Sequence, residues 1–247
     1  MLPIPTSRYI YSVTTRYLDI QRGKHQRIIV VQECWRESLA SLQRARGEQG
    51  LGEEELLDTV RQILAALAYL NQMKIVNTNL GRETVMLDGE GRVKLGNYGL
   101  GRMTHYGSWV SFPAVSDPRT AAPEVLRLGT RPQEPGSPPP QDHQGDINIS
   151  HIPGERPPPY SPSCDTWSLG ILLAAVSLDI PVFWPEARVA QVVRKVLSLG
   201  NCESGAAVLE RLSREHGCVG RVATIPQSVL DIIHACLTPC STSRPSP

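Results

Sequence analysis

Residues 75–88 read IVNTNLGRETVMLD. The stretch opens apolar, turns polar through Asn77, Thr78, Asn79 and Gly81, and returns to β-prone residues at Thr84–Leu87. Upstream, residues 53–73 place Leu56, Leu57, Val60, Ile63, Leu64, Leu67 and Leu70 at spacings of three and four, which predicts one face of an amphipathic helix. Glu53, Glu54 and Glu55 fall in its first turn, where unpaired amides favour negative charge. Ala65, Ala66 and Ala68 add helix propensity. Downstream, Asp88-Gly89-Glu90-Gly91 separates Thr84–Leu87 from Arg92–Leu95, a hairpin with a four-residue turn. The expected unit is a long helix, a polar loop and a hairpin.

Beyond the hairpin, Gly96, Gly99 and Gly101 mark a turning segment, without the lysine that a phosphate-cradling loop places nearby. Toward the N-terminus, Tyr17–Ile20 and Ile28–Val31 flank a polar stretch and predict another hairpin; Glu37–Ala45 predicts a short helix ending near Gly47. Toward the C-terminus the composition changes. Residues 131–162 carry Pro138-Pro139-Pro140 and Pro157-Pro158-Pro159 among Gln, Asp, Gly and Ser, a surface insertion that cannot build a core. Trp167–Val176 is nearly all apolar and predicts a buried helix, and further helices are expected over Val189–Leu199, Ala206–Leu212 and Val229–Leu237. A few strands followed by mostly helices make a mainly helical α+β fold.

Bulk properties exclude several functions. The 247 residues carry a net charge of +1, with 40% hydrophobic and 20% charged residues, enough for a core but without the basic stripe of a nucleic-acid binder. The longest basic cluster, Arg22–Arg27, reads as a hairpin tip. Of the six cysteines only Cys236 and Cys240, near His234, approach zinc-knuckle spacing, so no metal site is expected and the thiols imply a reducing compartment. No apolar run reaches the roughly 20 residues of a membrane helix, and no signal peptide is visible; the expected location is cytoplasmic. His25, His105, His143, His151, His216 and His234 form no catalytic pattern.

Four landmarks stand in one order: the 75–88 loop, Gly96-Asn97-Tyr98-Gly99, Ala122-Pro123-Glu124, and Asp165-Thr166-Trp167-Ser168-Leu169-Gly170 at the head of the buried helix. Together with Cys236-Leu237 and Arg244-Pro245, they resemble the protein-kinase fold over residues 17–245. The resemblance implies a remnant of the small lobe at 1–31, a hinge starting at Gln32, and a large lobe at 32–245 interrupted by the 131–162 insertion. The runs YLDIQRGKHQRIIVVQECWRESL, REHGC at 214–218 and CLTPCSTSRPSP are similar to the kinase-like domain of the TBC-domain-containing kinase-like family. Members of that family are regarded as pseudokinases. They carry Rab-GTPase-activating TBC and rhodanese-like domains after the kinase-like part, and are tied to an endosomal assembly that binds a Rab GTPase and messenger RNA. Neither later domain is expected within these residues.

Phosphoryl transfer needs metal ligands, a phosphate-contacting lysine and a residue that orients the hydroxyl. By the resemblance, Asn79 stands at the base aspartate, Gly81 at the loop lysine, Thr84 at the metal-binding asparagine and Asn97 at the principal metal-binding aspartate. Asn77 and Thr78 replace the usual His-Arg pair, Lys24 is the only lysine before the hinge, and Lys94 reads as a strand-surface residue. No catalytic residue, cofactor or metal is therefore expected. Scaffold positions are kept: Glu124 and Arg244 for a buried ion pair, Asp165 to accept amides near Asn77 and Thr78, Trp167 packed beneath it, and Gly99 for a turn. The implied function is an inactive interaction module with protein partners, its candidate surfaces being the helix from Ala190 and the proline-rich insertion. Two alternatives stay open: a divergent ATP-dependent kinase, and a truncated isoform or gene-model fragment.

Overall fold

The computed structural model describes residues 35–47, 50–72, 76–95, 117–129 and 161–247. The expected 17–31 hairpin, Lys24, Asn97, Gly99 and nearly all of the 131–162 segment lie outside them.

A two-residue strand β1 (Glu37–Ser38) leads into α1 (Leu39–Arg46). The short helix therefore starts two residues later than its composition suggests. Ser38 acts as its N-cap, its hydroxyl accepting the Ser41 amide at 3.1 Å. The apolar stripe of 53–73 folds as α2 (Glu53–Gln72), burying Leu56, Val60, Ile63, Leu67 and Leu70. Each such side chain contributes about 2 kcal/mol by leaving water. The hairpin forms as β2 (Val85–Leu87) and β3 (Val93–Leu95). Asp88 shapes its turn, accepting the Glu90 and Arg92 amides through Oδ1. β1 pairs antiparallel with the outer edge of β2, Glu37 opposite Leu87, giving a three-stranded sheet ordered β1-β2-β3. The Gln62 side chain accepts the Val93 amide at 2.8 Å and ties α2 to this sheet.

The centre of the fold is α4 (Ser163–Ser177), preceded by α3 (Pro123–Gly129). Every residue of α4 from Ser163 to Val176 is buried, so it has no amphipathic face and is surrounded by protein. α5 (Val189–Leu199), α6 (Gly205–Glu215), α7 (Val219–Val222) and α8 (Gln227–Cys236) complete the helical layer. α8 lies along α4, α6 against α8, and α3 against α5. Gly170 lets α4 and α8 meet closely: a Cβ there would stand 2.8 Å from Cys236 Cβ.

Gly205 carries the tightest contact. A Cβ built on it would stand 1.9 Å from the His234 carbonyl oxygen on α8. Backbone cannot yield as a flexible side chain can, so overpacking here forces α6 and α8 apart. Gly205→Ala is expected to cost about 2–3 kcal/mol in urea unfolding, whereas Gly89→Ala, where nothing lies within 4 Å of an added Cβ, is expected to change stability by less than about 0.5 kcal/mol.

The described cysteines differ in reactivity. Burial raises the Cys164 thiol well above its ordinary range and pushes Cys236 up to about 12. Cys240 is exposed, and hydrogen bonds first from Thr242 and then Ser243 lower it to about 7. The thiolate is the nucleophile. Iodoacetamide is expected to alkylate Cys240 well before Cys164 and Cys236, its rate rising through pH 7; peptide mass spectrometry of a timed reaction reads the order.

Candidate functional site

The loop 76–84 is held by its apolar and polar members together. Val76 and Leu80 are buried to within 1% exposure and fix its two ends in the core. Between them the backbone turns back to α4. Buried Asp165 accepts the Asn77 amide through Oδ2 at 2.7 Å and the Thr78 amide through Oδ1 at 2.8 Å. Burial pushes this carboxyl up to about 6, and the two amides oppose that rise. Thr78 pays for the turn with a φ of 55°, a left-handed conformation that a β-branched residue adopts only under constraint.

Two short internal bonds finish the loop. Asn77 Oδ1 accepts the Asn79 amide at 2.9 Å. Thr84 Oγ1 accepts the Gly81 amide at 2.9 Å and lies 2.6 Å from the Asn79 carbonyl, to which it donates. The hydroxyl at Thr84 is thus turned into the loop. Gly81 is different: an added Cβ meets nothing nearer than 3.9 Å, and its φ is not left-handed. Neither crowding nor backbone geometry demands glycine there.

Asn79, Gly81 and Thr84 line a surface cavity of about 310 Å³ together with Arg119 and Phe183. Two arginines that motif reading passed over frame it. Arg82 donates to the Gln43 side-chain oxygen and to the Pro181 carbonyl, bridging the loop to α1 and to the α4–α5 connection. Arg119 donates through Nε to the Phe183 carbonyl at 2.9 Å and pairs with Asp117 at 3.3 Å. Burial lowers the Arg82 guanidinium from its ordinary range. The signal for Arg82 was its place in the 75–88 stretch; for Arg119 the sequence carries none, because its partner lies 64 positions away.

Glu124 and Arg244 are brought together across 120 positions. Arg244 Nη1 donates to Glu124 Oε1 at 2.7 Å and Nη2 to Oε2 at 3.3 Å. The same guanidinium donates to the Ser163, Thr238 and Pro239 carbonyls. Its carbon lies 5.0 Å from the centroid of the Trp167 ring, a cation–π contact. Trp167 itself is fully buried. The Arg244 side chain has no exposure and Glu124 keeps 11%, so removing either partner strands a buried charge. Arg244→Met and Glu124→Gln are each expected to cost about 3–5 kcal/mol in urea unfolding. Glu124→Gln/Arg244→Met together should cost clearly less than their sum, the mark of coupled partners.

A protein kinase domain model matches residues 8–138. The chain is 34% identical over 232 residues to the TBC domain-containing protein kinase-like protein of Mus musculus, covering 94% of this chain and 24% of that protein. It is 32% identical over 232 residues to the Homo sapiens protein of the same name, with the same shares covered. To NUAK family SNF1-like kinase 2 of Homo sapiens it is 29% identical over 126 residues, 51% of this chain and 15% of that kinase. The chain spans about a quarter of the length of the TBC domain-containing relatives. With α4 at its centre and the 76–84 loop seated on Asp165, the chain belongs to the protein kinase domain family, with a mainly helical kinase-like fold related to TBC domain-containing protein kinase-like proteins.

Proposed function

We propose that this is a catalytically inactive kinase-like domain that serves as a protein-interaction module. The observation that carries the reading is the Thr84 hydroxyl, bonded into the loop backbone where the family places a metal-binding amide. Asn79 stands at the base position with an amide, which takes no proton at neutral pH, and Gly81 offers no cation to a phosphate. Asn97 adds a neutral side chain in place of the principal carboxylate. Magnesium binds through hard, largely anionic oxygens and substrate phosphate. A donor set of two amides and an inward-turned hydroxyl does not fit a magnesium–nucleotide complex, and no phosphotransfer step is derived through one.

The groups that build the scaffold support the same reading, since Asp165, Trp167, Glu124 and Arg244 all make close contacts. The division into a small-lobe remnant at 1–31 and a large lobe at 32–245 with a proline-rich insertion at about 131–162 belongs to this proposal. So does its setting, a cytoplasmic, Rab-related endosomal assembly, which rests on the relation to TBC domain-containing proteins. No helix among the described residues is long and apolar enough to cross a membrane. The surface we assign to partners is the outer face of α5, where Val189, Ala190, Gln191 and Arg194 are exposed.

Thermal unfolding of the purified chain with ATP, with and without magnesium, tests the inactive reading. A ligand that prefers the folded state raises its apparent stability. The expected outcome is one cooperative transition unmoved by millimolar magnesium–ATP. A saturable, magnesium-dependent rise in Tm would overturn the proposal in favour of a divergent ATP-dependent kinase.

A further inference from the structure

The connection between α4 and α5, residues 178–185, holds two non-glycine residues in left-handed geometry, Asp179 at φ 53° and Trp184 at φ 52°. Aspartate tolerates this conformation; a bulky tryptophan adopts it only when its surroundings enforce it. The enforcement comes from outside the segment. Arg221 donates to the Leu178 carbonyl at 2.8 Å, Arg82 to the Pro181 carbonyl and Arg119 to the Phe183 carbonyl. Trp184 Nε1 donates to Glu215 Oε2 at 2.9 Å.

His216, at the C-terminal end of α6, closes this arrangement. Its ring stands edge-on to Phe183, centroids 5.2 Å apart at 72°, and 6.0 Å from Trp184. Its Nε2 is buried and has no hydrogen-bond partner among the described residues. A neutral imidazole tolerates that position with Nε2 unprotonated, whereas an imidazolium would bury an N–H without an acceptor. The charged groups around it are already engaged. On its own helix Glu215 binds Trp184, Lys195 and Arg211. From α5, Lys195 also lies 5.5 Å from the Trp184 ring centroid and repels a second cation. From the connection itself, Asp179 pairs with Gln43 and with Arg221 of α7. The Cys218 thiol beyond α6 bonds the Ser213 carbonyl. His216 also lines a cavity of about 560 Å³, together with Pro181, Val182 and Pro185.

We infer that His216 is a pH-operated latch: protonation expels its ring from the Phe183–Trp184 nest toward the adjoining cavity and removes its packing from the Trp184 ring. Burial and Lys195 hold the imidazole below its usual 6.5, with Glu215 opposing. The proton therefore binds the released form more tightly than the latched one. The latched form prevails above pH 6.5 and the released form grows as pH falls below it. Because Phe183 also lines the cavity beside the 76–84 loop, release alters the packing behind that surface as well.

The test is ¹⁹F NMR of the full chain labelled with 5-fluorotryptophan, the Trp184 resonance assigned by its loss in Trp184→Phe, titrated from pH 7.5 to 5.0. The expected result is a reversible change of the Trp184 resonance with a midpoint below 6.5, abolished in His216→Gln. A Trp184 resonance that does not titrate, or titrates identically in His216→Gln, overturns the latch. Should His216→Gln fail to fold, the ¹⁵N shifts of the wild-type His216 ring decide: a midpoint below 6.5 matching that of Trp184 supports the latch, and a midpoint at or above 6.5, or one unrelated to Trp184, overturns it.

Discussion

One carboxylate couples the two halves of the site. Asp165 sits at the buried head of α4, and its two oxygens receive the Asn77 and Thr78 amides. Without those acceptors, two backbone donors at the start of the loop would be stranded away from water, each costing about 1–3 kcal/mol. The left-handed turn at Thr78 exists because it aims both amides at one side chain. Position along the chain thus matters less than register: 87 residues separate Thr78 from its acceptor. The central helix holds the loop, and the loop in turn sets where Asn79, Gly81 and Thr84 stand.

A second tie works at the same end of α4, two residues before Asp165. Arg244 satisfies carbonyls of Ser163, Thr238 and Pro239 while paired with Glu124. The planar guanidinium suits this task, since its fixed fork serves several acceptors at once and its face rests on the Trp167 ring. It joins the start of α4, α3 and the C-terminal segment in one polar knot within an apolar core. Both ties determine where the candidate site's side chains can be.

Periodicity made the long elements legible. α2 announces itself by leucines at three and four, α4 by an unbroken apolar run, and α5 by valines whose bounds the structure repeats. The short pieces were hidden for physical reasons. β1 has two residues and exists only through pairing with β2, so no local pattern marks it. Residues 123–129 offer little stripe; Pro123 suits the first helical position, and the segment folds against α5. α7, four residues without a buried member, has no periodicity to read. In the candidate site, identities at Asn79, Gly81 and Thr84 could be read from motif position, but the direction of the Thr84 hydroxyl could not, because it depends on loop closure. The contacts of Arg82 and Arg119 could not be read from the sequence, because each ends on a distant carbonyl.

Gly81 and Thr84 differ in how tightly the loop binds them. A Cβ added at Gly81 meets only ordinary contacts at 3.9 Å among the described residues. Thr84 is a keystone: its hydroxyl satisfies a donor and an acceptor of its own loop. Replacing it with a longer amide would unmake the bonds that now shape the turn. The two positions therefore differ in what a change entails: a Cβ at Gly81 is accommodated where it stands, whereas a change at Thr84 must be answered by its neighbours, because the Gly81 amide and the Asn79 carbonyl both depend on its hydroxyl.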